Sequence, residues 1–290
     1  MIELKQEGDH YFARQRMESP SVYLDHWALR KISVDERMSA RFVAALRSRG
    51  GTLVTSLISS GEFAGLQFEA EADAADRLLD ALTPHLFFIW LEPFEVIAKE
   101  EELAAGVRRP HPAADDDAMQ RFVELGPSPL AGKGLFKLMV ANGSHIRPQM
   151  EDLGRGALIG IERLKHRYDT EPELRTAAHD APGPTNGVRS TLPLLQVLVR
   201  RFLKDRHERL DLNDGIDLLH TVVPAAYCDF VLLDRRWAAA VEEARRELER
   251  HGIETPVATV FSERKNGVER FLGRLEAFQP GATRFARKPR

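Results

Sequence analysis

Four acids in this sequence stand where predicted strands and helices could position them for chemistry: Asp25, Glu62, Asp217 and Asp234. Carboxylates that come together without basic partners repel one another and raise each other's pKa. A bound divalent cation removes that repulsion, and oxygen ligands of this kind suit Mg²⁺ or Mn²⁺. Such a site can activate a water and neutralise the charge that develops on a phosphodiester. The four acids therefore predict metal-assisted hydrolysis.

Each acid also has a structural alternative. Ser59-Ser60-Gly61-Glu62 spells a capping box, which predicts a helix cap rather than a ligand for Glu62. Asp234 stands where it can cap the following helix, and Asp217 is expected in the first turn of its helix, where the helix dipole favours acids. Asp25 has the weakest alternative, because His26-Trp27 is not a strong capping sequence. The roles of the acids depend on whether the fold brings them together.

The elements that position these acids alternate between strand and helix. Short buried strands are predicted at 22–24, 52–55, 87–91, 230–233 and 257–261, with helices between them. This alternation predicts a three-layer α/β/α fold with a parallel central sheet of about five strands. Asp25 and Asp234 would then emerge at the carboxyl edge of the sheet, where open parallel sheets bind their ligands. Glu62 and Asp217 are expected at the same edge.

Composition and periodicity divide the chain into five segments. Residues 1–20 are polar and aperiodic and are interpreted as an N-terminal arm, and residues 281–290 form a basic tail. Residues 21–102 and 211–280 carry the alternating strands and helices. Between them, residues 103–210 show helical periodicity without a convincing strand, which predicts an all-helical insertion.

The order of the acids gives the sequence a resemblance to a known family. The stretches Asn213–His220 and Ala225–Asp234 resemble the C-terminal signature of PIN-like domains, in which an acid opens a helix and a hydrophobic strand ends in another acid. Val22-Tyr23-Leu24-Asp25 resembles the family's first strand and first acid, and Glu62 stands where the second acid is expected. The resemblance covers residues 20–100 and 210–280.

PIN-like proteins are metal-dependent nucleases that act mostly on RNA, so the resemblance implies an endoribonuclease that uses Mg²⁺ or Mn²⁺. It implies that the four acids bind the metal, with Asp214 and Asp229 as additional candidate ligands. His220, Arg235 and Arg236 become candidate contacts to the substrate. A homodimer and an inhibitory protein partner are further expectations that the resemblance raises.

Three departures from the family pattern keep a second function open. The helical insertion has no counterpart in a minimal PIN-like domain, Pro224 should kink its helix, and Leu233 precedes Asp234 where the family often has a hydroxyl. A catalytically weak or inactive scaffold that binds RNA or a protein partner is therefore the main alternative. A phosphatase-like hydrolase with Asp25 as nucleophile is more distant, because Trp27 stands where that chemistry commonly has a second acid.

Composition excludes several other classes of protein. The 290 residues are 43% hydrophobic and 29% charged, the balance of a globular protein. A net charge of −3 disfavours a protein that coats a polyanion with its whole surface. Cys228 is the only cysteine, which excludes disulfide scaffolds and Cys-ligated clusters within the chain. The sequence shows neither a signal peptide nor a membrane-spanning run, so we expect a cytoplasmic protein without membrane contact.

Other motifs fail on spacing. The segment Gly126–Gly134 has one residue too many between its glycines for a phosphate-binding P-loop, and His207-Glu208 lacks the second histidine of a zinc-protease helix. Basic groups that could contact RNA lie at 108–109, 163–167, 200–206, 235–236 and in the tail. We favour Arg235 and Arg236, because they directly follow Asp234.

Overall fold

Five strands form one parallel sheet in the computed structural model, which describes residues 1–7, 10–64, 67, 69–107, 111–125, 134–177, 191–204 and 209–279. The strands are β1 Ile2–Glu7, β2 His10–Gln15, β3 Ser21–Leu24, β4 Thr52–Thr55, β5 Leu86–Phe88, β6 Phe230–Leu232 and β7 Thr259–Phe261. The helices are α1 His26–Val34, α2 Glu36–Ser48, α3 Leu57–Gly61, α4 Glu69–Leu82, α5 Pro93–Ala104, α6 Asp116–Glu124, α7 Leu135–Ala141, α8 Gly143–Thr170, α9 Pro172–Ala177, α10 Thr191–Lys204, α11 Leu212–Tyr227, α12 Arg235–Arg250 and α13 Gly267–Glu276. The predicted three-layer α/β/α fold is confirmed.

The strand order in the sheet is β5-β4-β3-β6-β7, and all neighbouring pairs are parallel. From β3 the chain moves outward through β4 to β5, and it later returns to the other side of β3 with β6 and β7. The direction of winding therefore reverses between β3 and β6. The carboxyl ends of two strands at such a switch point border a crevice, which is where open α/β sheets bind ligands.

Helices cover both faces of the sheet, because every central strand is apolar on both faces. Tyr23 of β3 packs into one core, with side chains of α10, α11 and α12. Its neighbours Val22 and Leu24 pack into the other core, with α1, α2, α4 and α13. The continuous apolar runs in the sequence reflect this burial on both sides.

The predicted N-terminal arm is wrong in detail, because β1 and β2 form an antiparallel hairpin. The side chain of Gln15 joins it to the sheet edge, accepting a hydrogen bond from the Phe88 amide at 2.7 Å and donating one to Asp116 at 3.1 Å. The buried side chain of Ile2, the cross-strand partner of Gln15, anchors the same end of the hairpin. Most side chains of this hairpin are polar, so its sequence does not show the hydrophobic alternation that predicts strands.

The described part of segment 103–210 is helical, as predicted, and its helices complete the two layers of the sheet. Phe122 of α6 and Phe136 of α7 pack into the core that contains α1. Tyr168 of α8 and Leu198 of α10 pack into the opposite core. These helices extend the α/β domain rather than forming a separate core.

Helix α8 crosses α11 at unusually close range. A Cβ atom on Gly215 would lie 2.2 Å from the Gly154 carbonyl oxygen. The helices can approach this closely only because both positions are glycine. Helix α11 continues through Pro224, where the sequence predicted a kink. The α8–α11 contact supports the part of α11 that carries Asp214 and Asp217.

Several features from the sequence lie outside the described residues. These are the glycine-rich segment 126–133, the basic residues at 108–109 and 206, and the basic tail 281–290. Among the helices that the structure describes, none has the length and apolar character to cross a membrane.

Candidate metal centre

Asp25 and Asp234 lie at the switch point of the sheet. Asp25 follows β3 and accepts a hydrogen bond from the His26 amide at 2.8 Å as the N-cap of α1. Asp234 follows β6, separated from it by Leu233, and accepts from the Arg236 amide at 2.6 Å as the N-cap of α12. Because β3 and β6 are adjacent and parallel, both carboxylates emerge at the same edge.

Glu62 also lies at this edge, but its local structure differs from the sequence prediction. The short helix α3 begins after Ser56, whose side chain accepts from the Ser59 amide, and Glu62 follows the end of that helix. The capping-box interpretation of Ser59 and Glu62 is therefore wrong. The Glu62 side chain contacts His26 instead, with Oε1 lying 3.2 Å from Nδ1.

Asp217 lies in the second turn of α11, and Trp237 Nε1 donates a hydrogen bond to its Oδ2 at 3.1 Å. Burial, followed by the negative charges of Asp25, Asp234 and Glu62, raises the pKa of Asp217 to about 7. Charges act on one another in this way only at short range. The structure thus gathers the four acids of the sequence prediction into one electrostatic environment.

The imidazole of His26 provides a positive charge that faces these acids. Burial acts to lower the pKa of His26, but its contacts with Asp25 and Glu62 outweigh burial and raise it to about 10. Burial likewise acts to raise the pKa of Asp25, but the hydrogen bonds from His26 and the nearby imidazoles of His220 and His26 hold it below its usual value. Without a metal, a protonated His26 partly balances the two carboxylates.

Asp25, His26 and Glu62 form a group that could hold a metal ion. One donor atom from each residue lies within 4.8 Å of the others. His26 Nδ1 is also 3.4 Å from Asp25 Oδ1. The donor set contains two carboxylates and one imidazole, all at least half-buried, which is suitable chemistry for a divalent cation.

A chain of buried hydroxyl groups contacts His220, which lies next to Glu62. The Tyr23 hydroxyl contacts Nδ1 of His220 and lies 3.0 Å from the Ser59 Oγ, which is 2.6 Å from the Ser56 Oγ. His220 is only 1% exposed, and its Nε2 lies 3.7 Å from Glu62 Oε2. Burial, followed by the charge of Asp25, raises the pKa of Tyr23, so its hydroxyl stays protonated.

Asp229 does not belong to the site, although the sequence analysis proposed it as a metal ligand. Its carboxylate accepts hydrogen bonds from the Ser21 amide at 2.8 Å and the Ser21 hydroxyl at 3.0 Å. Both residues stand at the start of their strands, so they lie at the amino edge of the sheet. The length of a four-residue strand, about 13 Å, separates this pair from Asp25.

Asp214 is held by structural contacts as well. It forms a reciprocal capping box with Asp211 at the start of α11, and the Arg236 guanidinium pairs with its carboxylate. These contacts account for the Asp214 carboxylate without a metal. The charges that raise the pKa of Asp217 come from other acids.

The candidate substrate contacts differ in their access to solvent. Arg235 is exposed at the start of α12, beside Asp234. Arg236 is half-buried, pairs with Asp214 and lies 5.9 Å from the centre of the Trp237 ring. His220 is buried, so it faces Glu62 rather than the solvent side of the site.

The sequence analysis missed His26, Tyr23, Ser59 and Trp237 as parts of the site. Only His26 could have been found from the sequence, because it is a histidine that directly follows a candidate metal ligand, Asp25. The contacts of Tyr23, Ser59 and Trp237 join distant parts of the chain, so spacing alone could not indicate them.

Comparisons with known proteins give no match. No family model matches the chain, and neither the curated proteins nor the solved structures contain a significant match.

Proposed function

We propose that this protein is a metal-dependent nuclease that hydrolyses phosphodiester bonds in RNA. The observation that carries the proposal is the convergence of Asp25, Glu62, Asp217 and Asp234 at the switch point of a parallel sheet. Four acids around one crevice leave an excess of negative charge that a divalent cation relieves. The order of the acids, which resembles that of PIN-like domains, supports RNA as the substrate.

The donor set fits such a cation. Asp25 and Glu62 would hold it, and Asp217 and Asp234 border the same crevice. When bound, a divalent cation at this place would lower the pKa of a water and offset the charge that develops on the phosphate. Mg²⁺ and Mn²⁺ are the ions that the resemblance implies.

The chain's own residues position the reacting groups. Trp237 donates a hydrogen bond to Asp217 Oδ2, which holds that carboxylate and leaves Oδ1 free of this bond. The carboxylate of Asp217 lies beside Asp25, Asp234 and Glu62, where it can accept a proton from an attacking water. Arg235 supplies an exposed positive charge at the rim that can contact a phosphate.

The direct test is hydrolysis of single-stranded RNA by the purified chain with Mn²⁺, with and without a chelator. We expect metal-dependent cleavage that Asp25→Asn abolishes. Asp152→Asn, which changes an exposed acid on α8, is the matched control and should cleave like the unchanged protein. RNA that binds without being cut, at every metal concentration, would favour the inactive scaffold and overturn the proposed activity.

A further inference from the structure

Three buried polar atoms meet at one place in this site without hydrogen-bond partners. They are His26 Nδ1, Glu62 Oε2 and His220 Nε2, and within the described part of the chain their only polar neighbours are one another and Asp25, at distances or angles that do not form hydrogen bonds. Buried polar atoms in native proteins are nearly always paired, because leaving them unpaired costs free energy. Three such atoms around one carboxylate indicate that a ligand belongs between them.

The spacing of the donors fits a metal ion. His26 Nδ1 lies 3.2 Å from Glu62 Oε1 and 3.4 Å from Asp25 Oδ1. Two donors that each lie about 2.1 Å from one ion, at an angle near 100°, are about 3.2 Å apart. Asp25, His26 and Glu62 can therefore contact one ion with only small side-chain adjustments.

His220 stands in the position of a fourth donor. It is 1% exposed, and its Nε2 faces Glu62 Oε2 at 3.7 Å. When its Nδ1 donates to the Tyr23 oxygen, the Tyr23 hydroxyl can donate to Ser59, and Nε2 presents its lone pair to the crevice. A metal-binding histidine commonly has its second nitrogen held in this way, which sets the tautomer and the ring orientation.

We propose that the site binds a transition metal of the Zn²⁺, Co²⁺ or Fe²⁺ class in preference to Mg²⁺, with His26 and His220 as imidazole ligands beside Asp25 and Glu62. The proposal rests on the proposed function for the presence of a metal, but not for the substrate. Imidazole favours these metals, whereas Mg²⁺ prefers an all-oxygen shell and retains its waters. The sequence led to Mg²⁺ or Mn²⁺ because it indicated only the carboxylates.

The experiment is a metal titration of the full chain after removal of metal with a chelator. Co²⁺ binding is followed by its visible absorption bands, which change when imidazole replaces water, and Zn²⁺ and Mg²⁺ are added as competitors. We expect Co²⁺ to bind and Zn²⁺ to displace it, whereas Mg²⁺ in large excess leaves the Co²⁺ bands in place. Equal competition by Mg²⁺ would overturn the proposed selectivity.

Two variants test whether the imidazoles of His26 and His220 bind the metal. His26→Gln should weaken Co²⁺ binding by about tenfold or more and leave Mg²⁺ binding unchanged, because it removes only the nitrogen donor. Tyr23→Phe keeps the buried ring and should weaken Co²⁺ binding by about tenfold through the loss of support to His220. His145→Gln changes an exposed histidine on α8 and is the matched control.

The outcomes separate this inference from the proposed function. If His26→Gln weakens Mg²⁺ and Co²⁺ binding equally, the imidazole is not a selective ligand and the inference fails. If RNA is cleaved with Mg²⁺ and the chain binds Co²⁺ no more tightly than Mg²⁺, the nuclease stands and the inference fails. If Co²⁺ binds selectively but no RNA is cleaved, the inference stands and the nuclease fails.

Discussion

Acids at the two ends of the strand pair β3 and β6 have opposite surroundings. At the amino edge of β3 and β6, Ser21 satisfies the Asp229 carboxylate with two short hydrogen bonds. At the carboxyl edge, the charges of Asp25, Asp234 and Glu62 act on Asp217, and three buried polar atoms there lack hydrogen-bond partners. The comparison shows that an acid's position beside a strand does not define a site. The balance of charge and hydrogen bonds around it does.

The largest effect is expected on metal-dependent hydrolysis. Asp25→Asn should reduce metal-dependent hydrolysis by more than about a hundredfold, because the metal supplies several kcal/mol of transition-state stabilisation. Asp229→Asn should leave both metal affinity and hydrolysis within about twofold of the unchanged protein, since the two residues lie at opposite edges. Parallel metal titrations and hydrolysis rates test this difference. A metal defect in Asp229→Asn would remove the distinction between the edges.

The second effect concerns the pH dependence of stability without metal. The pKa of Asp217 rises from 3.8 in the unfolded chain to about 7 in the folded one. The folded state therefore holds a proton that the unfolded state has released, and stability falls as pH rises through this range. Asp217→Asn removes that loss. The free energy of unfolding of the variant, relative to that of the unchanged chain, should therefore rise between about pH 4 and pH 7 and then level off.

The difference between the two pKa values of Asp217 corresponds to roughly 4 kcal/mol, and screening by water at this partly exposed group reduces the expected gain to about 2 kcal/mol. Urea unfolding at pH 5 and pH 8 in the presence of chelator measures it. An advantage of the Asn variant that is equal at both pH values would show that the acids at the carboxyl edge do not repel one another.

A smaller effect is expected at the amino edge. Asp229→Asn should lower the free energy of unfolding by about 1–2 kcal/mol, because a neutral amide replaces the charged acceptor of the Ser21 bonds. Thermal and urea unfolding give this value. Stability above that of the unchanged chain would contradict the view that Asp229 is a satisfied structural acid.

The smallest effect is expected for Arg236→Gln. Its ion pair with Asp214 is partly exposed, and Asp214 keeps its capping bonds with Asp211, so we expect a loss of at most about 1 kcal/mol. Metal affinity should not change, which isothermal titration checks. Weaker metal binding in this variant would place Asp214 within the site after all.

Much of the architecture could be predicted from local pattern. The strands β4 and β6 lie where the sequence predicts them, because strands buried on both faces carry mostly apolar and β-branched side chains. The error over Asp229 was avoidable. It precedes its strand, and in a parallel sheet the residues before and after neighbouring strands lie at opposite edges.

Other features of the site could not be predicted locally. Glu62 was expected to begin a helix, but α3 ends just before it, and its role follows from contacts with His26 and His220. The bond between Tyr23 and His220 joins residues that are far apart in the chain. Such contacts depend on how helices pack on the sheet, which periodicity does not encode.

The sequence by itself determined the three layers, the five parallel strands and the order of the acids along the chain, because burial and strand direction follow from local hydrophobic pattern. Only the tertiary structure decided which acids share a crevice, which are satisfied elsewhere, and that His26 and His220 face the same carboxylate. The physical reason is that a residue's charge state and ligand chemistry depend on neighbours brought from distant parts of the chain. Desolvation and opposing charge act through space, not along the sequence.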